Sequence, residues 1–301
     1  MTDYRQYLRP DIVSSIASLE LRARMIVEGF ITGLHRSPYH GFSVEFAEHR
    51  QYMPGDELRY LDWKVYAKTD RYYIKQYEEE TNLKAWVVLD ASSSMRYASP
   101  GNVTKYEYAL SLAAALSLLM LRQRDAVGAA VYDTALRAAL PPSSKPSYLQ
   151  QVLKVLATAE PEGRGAQTGT ARSLGFLAER VKRRGLVIVI SDFFDEPDAV
   201  IAALRGFRHK QNEVLALQVL DPRERTFDFG SDATFRDMET GEEMSAQPYQ
   251  IRRAYAEAME EFTGKIKRGC RENRIDYALV DTSTPYDVAL AEFLQKRMRV
   301  G

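Results

Sequence analysis

The sequence predicts an α/β protein: a doubly wound, mostly parallel sheet with helices on both faces, plus an N-terminal helical and irregular segment. Three observations predict it. AWVVLD (85–90) and LVIVISD (186–192) are unbroken apolar runs, as expected of strands buried on both faces. Stretches with helical spacing separate such runs, so strands and helices alternate. The most apolar strands also fall in the middle of that alternation, where a sheet is covered on both sides.

Taken in order, residues 11–33 have apolar positions at helical spacing, with Asp11 as the expected N-cap after Pro10. Residues 34–84 are irregular, aromatic and charged, with a turn at Met53-Pro54-Gly55-Asp56 and a strand near 72–77 that has one wet face. KYEYALSLAAALSLLMLRQ (105–123) is a long apolar helix, AVGAAVYD (126–133) a strand, and LRAALP (136–141) its candidate hairpin partner. Helices are expected at 146–158, 170–183 and 197–207, and a strand at 213–221. The second of these helices is basic at its C-terminal end, as the helix dipole prefers. Residues 222–248 break the pattern and contain a surface hairpin turning at Thr240-Gly241. A helix over 249–272, a strand over 275–282 and a helix over 285–298 complete the chain. No internal repeat or low-complexity linker interrupts it. The texture changes near residue 84, which divides the chain into a segment, 1–84, packed on the sheet and an α/β domain, 85–301, with a β-hairpin insertion near 222–248.

Composition narrows the function classes. The 301 residues are 45% hydrophobic and 27% charged, and Lys+Arg balance Asp+Glu at 41 each. That lacks the basic excess of a nucleic-acid binder, so no nucleic-acid partner is expected. Residues 109–121 are too short an apolar stretch to span a bilayer, so no membrane insertion is expected either. A lone cysteine, Cys270, rules out a disulfide framework and a Cys-rich zinc site. His35, His40, His49 and His209 show no zinc-ligand spacing. MTDYRQYLRP has no signal-peptide character, and a cytoplasmic location is expected.

In open α/β sheets, ligands bind beyond the carboxyl ends of the strands, where strand order reverses. One buried strand ends in Asp90, followed by Ala91-Ser92-Ser93-Ser94, and another ends in Ser191-Asp192. An order of the 3-2-1-4-5-6 kind makes these strands neighbours and brings Asp90 and Asp192 to one crevice. Asp90, Ser92 and Ser94 are spaced by two, so an extended exit from the strand aims one carboxylate and two hydroxyls the same way, with Ser93 pointing elsewhere. An all-oxygen donor set suits a hard ion, Mg²⁺ or Mn²⁺ and less well Ca²⁺. The plainer alternative is that these serines are turn and cap residues after a strand.

The D-x-S-x-S pattern at 90–94 resembles the metal-ion-dependent adhesion site (MIDAS) of von Willebrand factor type A domains. That resemblance implies a threonine from a second loop and an aspartate from a third. Within GAQTGTARSL (165–174), Thr168 fits the threonine best and Thr170 is the alternative; Asp192 matches the aspartate. The wider family often has glycine after that aspartate, where this chain has Phe193. GLHRSPYHGFSVEFAEHRQYMPGDELRYLDWKVYAKTD (33–70), DPRE (221–224) and FRDMETGEE (235–243) resemble the signature of the bacterial domain of unknown function 58, DUF58. That resemblance spans roughly 28–300. It implies a type A-like domain acting as an adaptor or chaperone partner of a MoxR-type AAA+ ATPase or its client, with no established catalytic activity.

The leading expectation is therefore a non-enzymatic interaction module holding Mg²⁺ through Asp90, Ser92, Ser94, Thr168 and Asp192, completed by a partner's acidic side chain. The alternative is a metal-dependent hydrolase or phosphatase, for which Asp192 and Asp195 are the nearby candidate bases. A third reading leaves the site empty, with Asp90 only capping the following turn. PGDELRYLDW (54–63) reads as a structural clamp or as a docking surface anchored by Trp63. GRGAQTG (163–169) lacks the Lys-Ser/Thr ending of a phosphate loop.

Overall fold

The α-helix at Pro10–Ser14 (α1) is capped by Arg9, whose guanidinium also bonds the Asp11 carboxylate, so Asp11 is a first-turn acid rather than the N-cap. A computed structural model describes residues 8–36, 49–52, 63–75, 83–158, 169–181, 184–229, 233–236 and 243–291. The helix expected over 11–33 is two helices, α1 and α2 (Leu19–Arg36). The serines explain the break. Ser14 and Ser15 hydroxyls bond back to the carbonyls of Asp11 and Ile12, and Arg22 caps the carbonyls of Ser14 and Ile16.

Next come β1 (His49–Gln51), α3 (Trp63–Thr69) and β2 (Tyr73–Lys75), with β1 and β2 antiparallel. Then follow β3 (Lys84–Asp90), α4 (Lys105–Arg122), β4 (Ala126–Tyr132), β5 (Leu136–Ser143), α5 (Leu149–Ala157), α6 (Thr170–Arg180), β6 (Leu186–Ser191), α7 (Pro197–His209) and β7 (Glu213–Leu220). The last elements are α8 (Pro222–Thr226), β8 (Ala233–Arg236), β9 (Glu243–Ala246), α9 (Pro248–Glu272) and β10 (Asp276–Asp281), after which residues 286–291 are helical. A 3₁₀ turn at Pro146–Tyr148 precedes α5. The expected hairpin in 222–248 is present as β8 and β9, joined antiparallel; the short helix α8 before it was not expected. Residues 53–62, Thr168, the turn at Thr240-Gly241 and the chain beyond 291 lie outside the described residues.

Two units are distinguished, residues 34–82 and the remainder, 1–33 with 83–301. In the smaller unit Tyr66 stacks on Tyr72 at 4.5 Å, with Tyr52 and Trp63 at the edges of that pair. Trp63 is exposed.

The larger unit is a mixed α/β structure around six mostly parallel strands in the order β10-β7-β6-β3-β4-β5, with β5 alone antiparallel. Counted along the chain within this sheet, that is 3-2-1-4-5-6, so β3 and β6 are neighbours. Val88, Val187, Val189, Val214 and Ala216 alternate along their strands into one core with Leu174 and Leu177 of α6, Leu204 and Phe207 of α7 and Ile266 of α9. α4 packs on β3, β4, β6 and β7 and is flanked by α5 and α1. Fifteen of its eighteen residues are buried, which is why it is apolar all round rather than striped. No helix among the described residues is long and apolar enough to cross a membrane.

Candidate functional site

The apolar run of β3 buries Asp90 completely, and the chain must then satisfy a carboxylate at the end of a strand. Asp90 Oδ1 accepts the Ser92 backbone N–H at 2.8 Å; Oδ2 accepts the Ser191 hydroxyl at 2.5 Å and the Tyr132 hydroxyl at 3.3 Å. All three donors are neutral. Burial pushes the Asp90 carboxyl up, the nearby Asp192 charge adds to that, and hydrogen bonds from Ser191 and Ser92 oppose it, leaving it at about 7.

The exit from β3 is not extended as expected: Ser93–Arg96 forms a 3₁₀ turn with Ser92 at its N-cap, and the buried Met95 anchors it. The Ser92 and Ser94 hydroxyls still meet, 3.0 Å apart, because Ser94 folds back within that turn. Asp90 is thus joined to Ser92 through the backbone N–H, and Ser92 to Ser94 through the hydroxyls.

The third loop begins as β6 ends. The Ser191 hydroxyl, besides donating to Asp90, accepts the Phe193 N–H at 2.8 Å. Phe193 sits at φ 57°, the left-handed region that suits glycine, while its ring is fully buried in the core shared by α6, α7 and α9. The loop is pinned from the next strands: Gln218 of β7 donates to the Asp192 carbonyl at 2.7 Å, and the Tyr277 hydroxyl of β10 donates to Gln218 Oε1 at 2.6 Å. Asp195 is engaged by the backbone N–H groups of Ala171, at 3.1 Å, and Glu196, at 2.7 Å, which ties this loop to the start of α6.

Asp192 is fully buried, and sequence reasoning missed its partner. Asp192 Oδ1 accepts the Phe194 N–H, while Oδ2 accepts Lys105 Nζ at 2.8 Å. Lys105 is the first residue of α4, is itself fully buried, and also donates to Glu224 Oε1 of α8 at 2.7 Å. Its ammonium lies 4.5 Å from the centre of the Phe194 ring. Burial pushes the ammonium down, but the Asp192 and Glu224 carboxylates outweigh this and hold it above its ordinary value. Burial raises Glu224, with Lys105 opposing and Asp192 adding. The overlooked signal was a cation at a helix N-terminus, the end the dipole makes unfavourable for it.

Glu224 belongs to a capping box: its Oε2 accepts the Asp221 N–H, and Asp221 Oδ1 accepts the Arg223 N–H. Asp221 Oδ2 accepts the Ser99 backbone and hydroxyl donors, both at 2.9 Å, closing the loop after β3 onto the end of β7. The DPRE segment thus shares a charge cluster with the third loop.

Of the two threonines considered for the second loop, Thr170 is described. It is fully buried at the start of α6, and its hydroxyl finds no hydrogen-bond partner among the described residues. It is near enough to Tyr132 to influence that phenol, which burial and the Asp90 charge raise well above its ordinary value. Gly169 before it passes the Thr134 carbonyl so closely that a Cβ would meet that oxygen at 2.9 Å.

No three His, Cys, Asp or Glu residues among those described cluster as a metal cage. A cation here would have to draw on hydroxyls, and the donors present fit that requirement: a buried carboxylate bonded by neutral donors among the described residues, two hydroxyls in contact, the buried Thr170 hydroxyl, and Asp192 as a second carboxylate, already paired with Lys105.

Several known proteins are similar to this chain. An uncharacterized protein of Mycobacterium tuberculosis, Rv1480, is 27% identical over 292 residues, covering 96% of this chain and 91% of its own length. An uncharacterized protein of Mycobacterium avium, MAV169, is 29% identical over 157 residues, half of this chain. Among solved structures, BatB of Bacteroides thetaiotaomicron overlaps 71% of this chain and 98% of its own at 17% identity and a TM-score of 0.47. An aerotolerance-related membrane protein of Bacteroides fragilis overlaps 70% of this chain and 98% of its own, at 20% identity and the same TM-score. Residues 48–263, more than two thirds of the chain, match the family described as protein of unknown function DUF58, and the chain belongs to that family.

Proposed function

We propose that this chain is a non-enzymatic, cytoplasmic protein-interaction module with a doubly wound, von Willebrand factor type A-like domain. In this reading Asp90, Ser92, Ser94, Thr168 and Asp192 hold Mg²⁺, or Mn²⁺ or Ca²⁺, with Thr170 as the alternative threonine. When bound, the ion supplies a positive point that an acidic side chain of a partner can ligate. The partner is a MoxR-type AAA+ ATPase or its client, a choice that rests on the resemblance of residues 33–70 to the DUF58 signature.

The observation that carries the reading is Asp90. It is fully buried, receives hydrogen bonds from neutral donors alone among the described residues, and lies near a second carboxylate and two paired hydroxyls. Such a carboxylate is costly to keep charged unless a cation joins it.

The test is calorimetric titration of Mg²⁺ into the wild-type protein and Asp90→Ala. Binding should weaken at least about tenfold in the variant, since it loses the one directly charged ligand of the first loop, with its circular dichroism unchanged. Equal binding in both proteins would sink the assignment.

A further inference from the structure

Lys105 is not required by the metal reading, yet it occupies the crevice's second carboxylate. We propose that its ammonium is a resident cation that competes with the divalent ion for Asp192 and so sets how tightly the site holds metal, passing the outcome to α8 through Glu224. This inference rests on the metal-binding reading above.

Four observations carry it. First, the placement is costly on general grounds. A lysine at the first position of a helix faces the positive end of the dipole, and full burial removes its hydration. Only the two carboxylates that face it, Asp192 and Glu224, offset that cost.

Second, the ammonium engages the Asp192 oxygen that the loop backbone leaves open. Asp192 Oδ1 is already engaged by the Phe194 N–H, and Lys105 takes Oδ2 at 2.8 Å. An ion seated on Asp90, Ser92 and Ser94 meets an Asp192 whose negative charge is already shared.

Third, the ammonium is outnumbered: Lys105 is shared by Asp192 and Glu224, so one negative charge is left between those two when both are ionised.

Fourth, Lys105 has somewhere to go. Glu224 holds it from the other side at 2.7 Å, with the Phe194 ring at 4.5 Å and the Tyr97 ring at 6.0 Å completing its surroundings. When the ion draws on Asp192, the ammonium leans on Glu224. Glu224 is fixed to Asp221 through the capping box, and Asp221 holds Ser99, so the shift is felt across α8 and the loop after β3.

The experiment is Mg²⁺ and Mn²⁺ titration calorimetry on the full chain as wild type, Lys105→Met and Glu224→Gln. Lys105→Met removes the competitor and should bind about tenfold more tightly or better. Glu224→Gln removes a carboxylate and leaves the ammonium wholly to Asp192, so it should bind about threefold to tenfold more weakly. A merely structural role for the triad would weaken binding in both variants, so opposite directions are the signature. Unchanged or weaker binding by a folded Lys105→Met overturns the inference and leaves the metal reading standing. If Lys105→Met does not fold, Lys105→Gln replaces it as the uncharged variant, and unchanged or weaker binding by that folded protein overturns the inference. Absence of binding by every folded protein removes the metal reading itself, and this inference with it.

Discussion

Asp90 has its charge state set almost wholly by its surroundings. Burial first, and the Asp192 charge second, lift its carboxyl from an ordinary 3.8 to about 7. The folded protein without metal therefore keeps a proton that the unfolded chain has already released. The stabilisation from this group is complete below the unfolded value and is lost as pH rises through about 7. The full swing is at most about 4 kcal/mol, three units at 1.36 kcal/mol each. In chelator, the wild-type melting temperature should fall between about pH 5 and pH 8 more steeply than that of Asp90→Asn, which has no proton to lose. Mg²⁺ should restore stability at the upper end and do little at the lower, because it binds the charged form. Thermal melts across that range decide the matter: parallel wild-type and Asp90→Asn curves would refute it. At this scale the sequence revealed Asp90, Ser92 and Ser94, because alternate oxygen donors after a buried strand form a local pattern. It hid Ser191, Tyr132 and Lys105, whose roles come from partners far along the chain. Lys105 and Glu224 are 119 residues apart, and no local periodicity joins them.

Among the elements, the loop from β6 to α7 shows most clearly how a local rule was broken. Phe193 holds a left-handed backbone where glycine is the easy choice, and the compensation is its ring, fully buried among α6, α7 and α9. Backbone strain of this kind costs about 1 kcal/mol or more, while a buried phenylalanine contributes about 3–5 kcal/mol over alanine. Phe193→Ala should therefore lose most of the packing and keep the strain. Phe193→Gly should lose the same packing but relieve the strain, and so be the more stable of the two by about 1 kcal/mol. Urea denaturation of the three proteins measures this, and a glycine variant less stable than the alanine variant contradicts it. Elsewhere, alternation made the sheet strands and their helices readable, because burial on both faces leaves an unbroken apolar run. Two of the misread stretches have polar causes. Ser14 and Ser15 end α1 by bonding their own carbonyls, and the Ser93–Arg96 turn replaces an extended exit. Side-chain competition for backbone groups of this sort leaves no mark on hydrophobic period.

For the whole molecule, strand order is what turns separate sequence segments into one site. The parallel pairing of β3 with β6 places Asp90 beside the Ser191-Asp192 loop, and β7 and β10 brace that loop through Gln218 and Tyr277. Residues 221–224 close the far side by holding both Lys105 and Ser99. Bracing from these strands fixes the loop that carries Asp192, so a partner's carboxylate would meet an ion already positioned. Partner capture should then follow the metal. With the purified protein immobilised, a MoxR-type ATPase from the same cytosol should be retained in Mg²⁺, released by chelator, and not retained by Asp90→Asn in either condition. Retention that ignores both chelator and the substitution would place the docking surface away from this crevice, and no retention of the ATPase in Mg²⁺ would remove it as the partner. The aromatic group of Trp63, Tyr66 and Tyr72 supplies the control. Trp63→Ala alters an exposed ring of the smaller unit that supplies none of the site's oxygen donors, so it should be retained in Mg²⁺ and released by chelator as the wild type is.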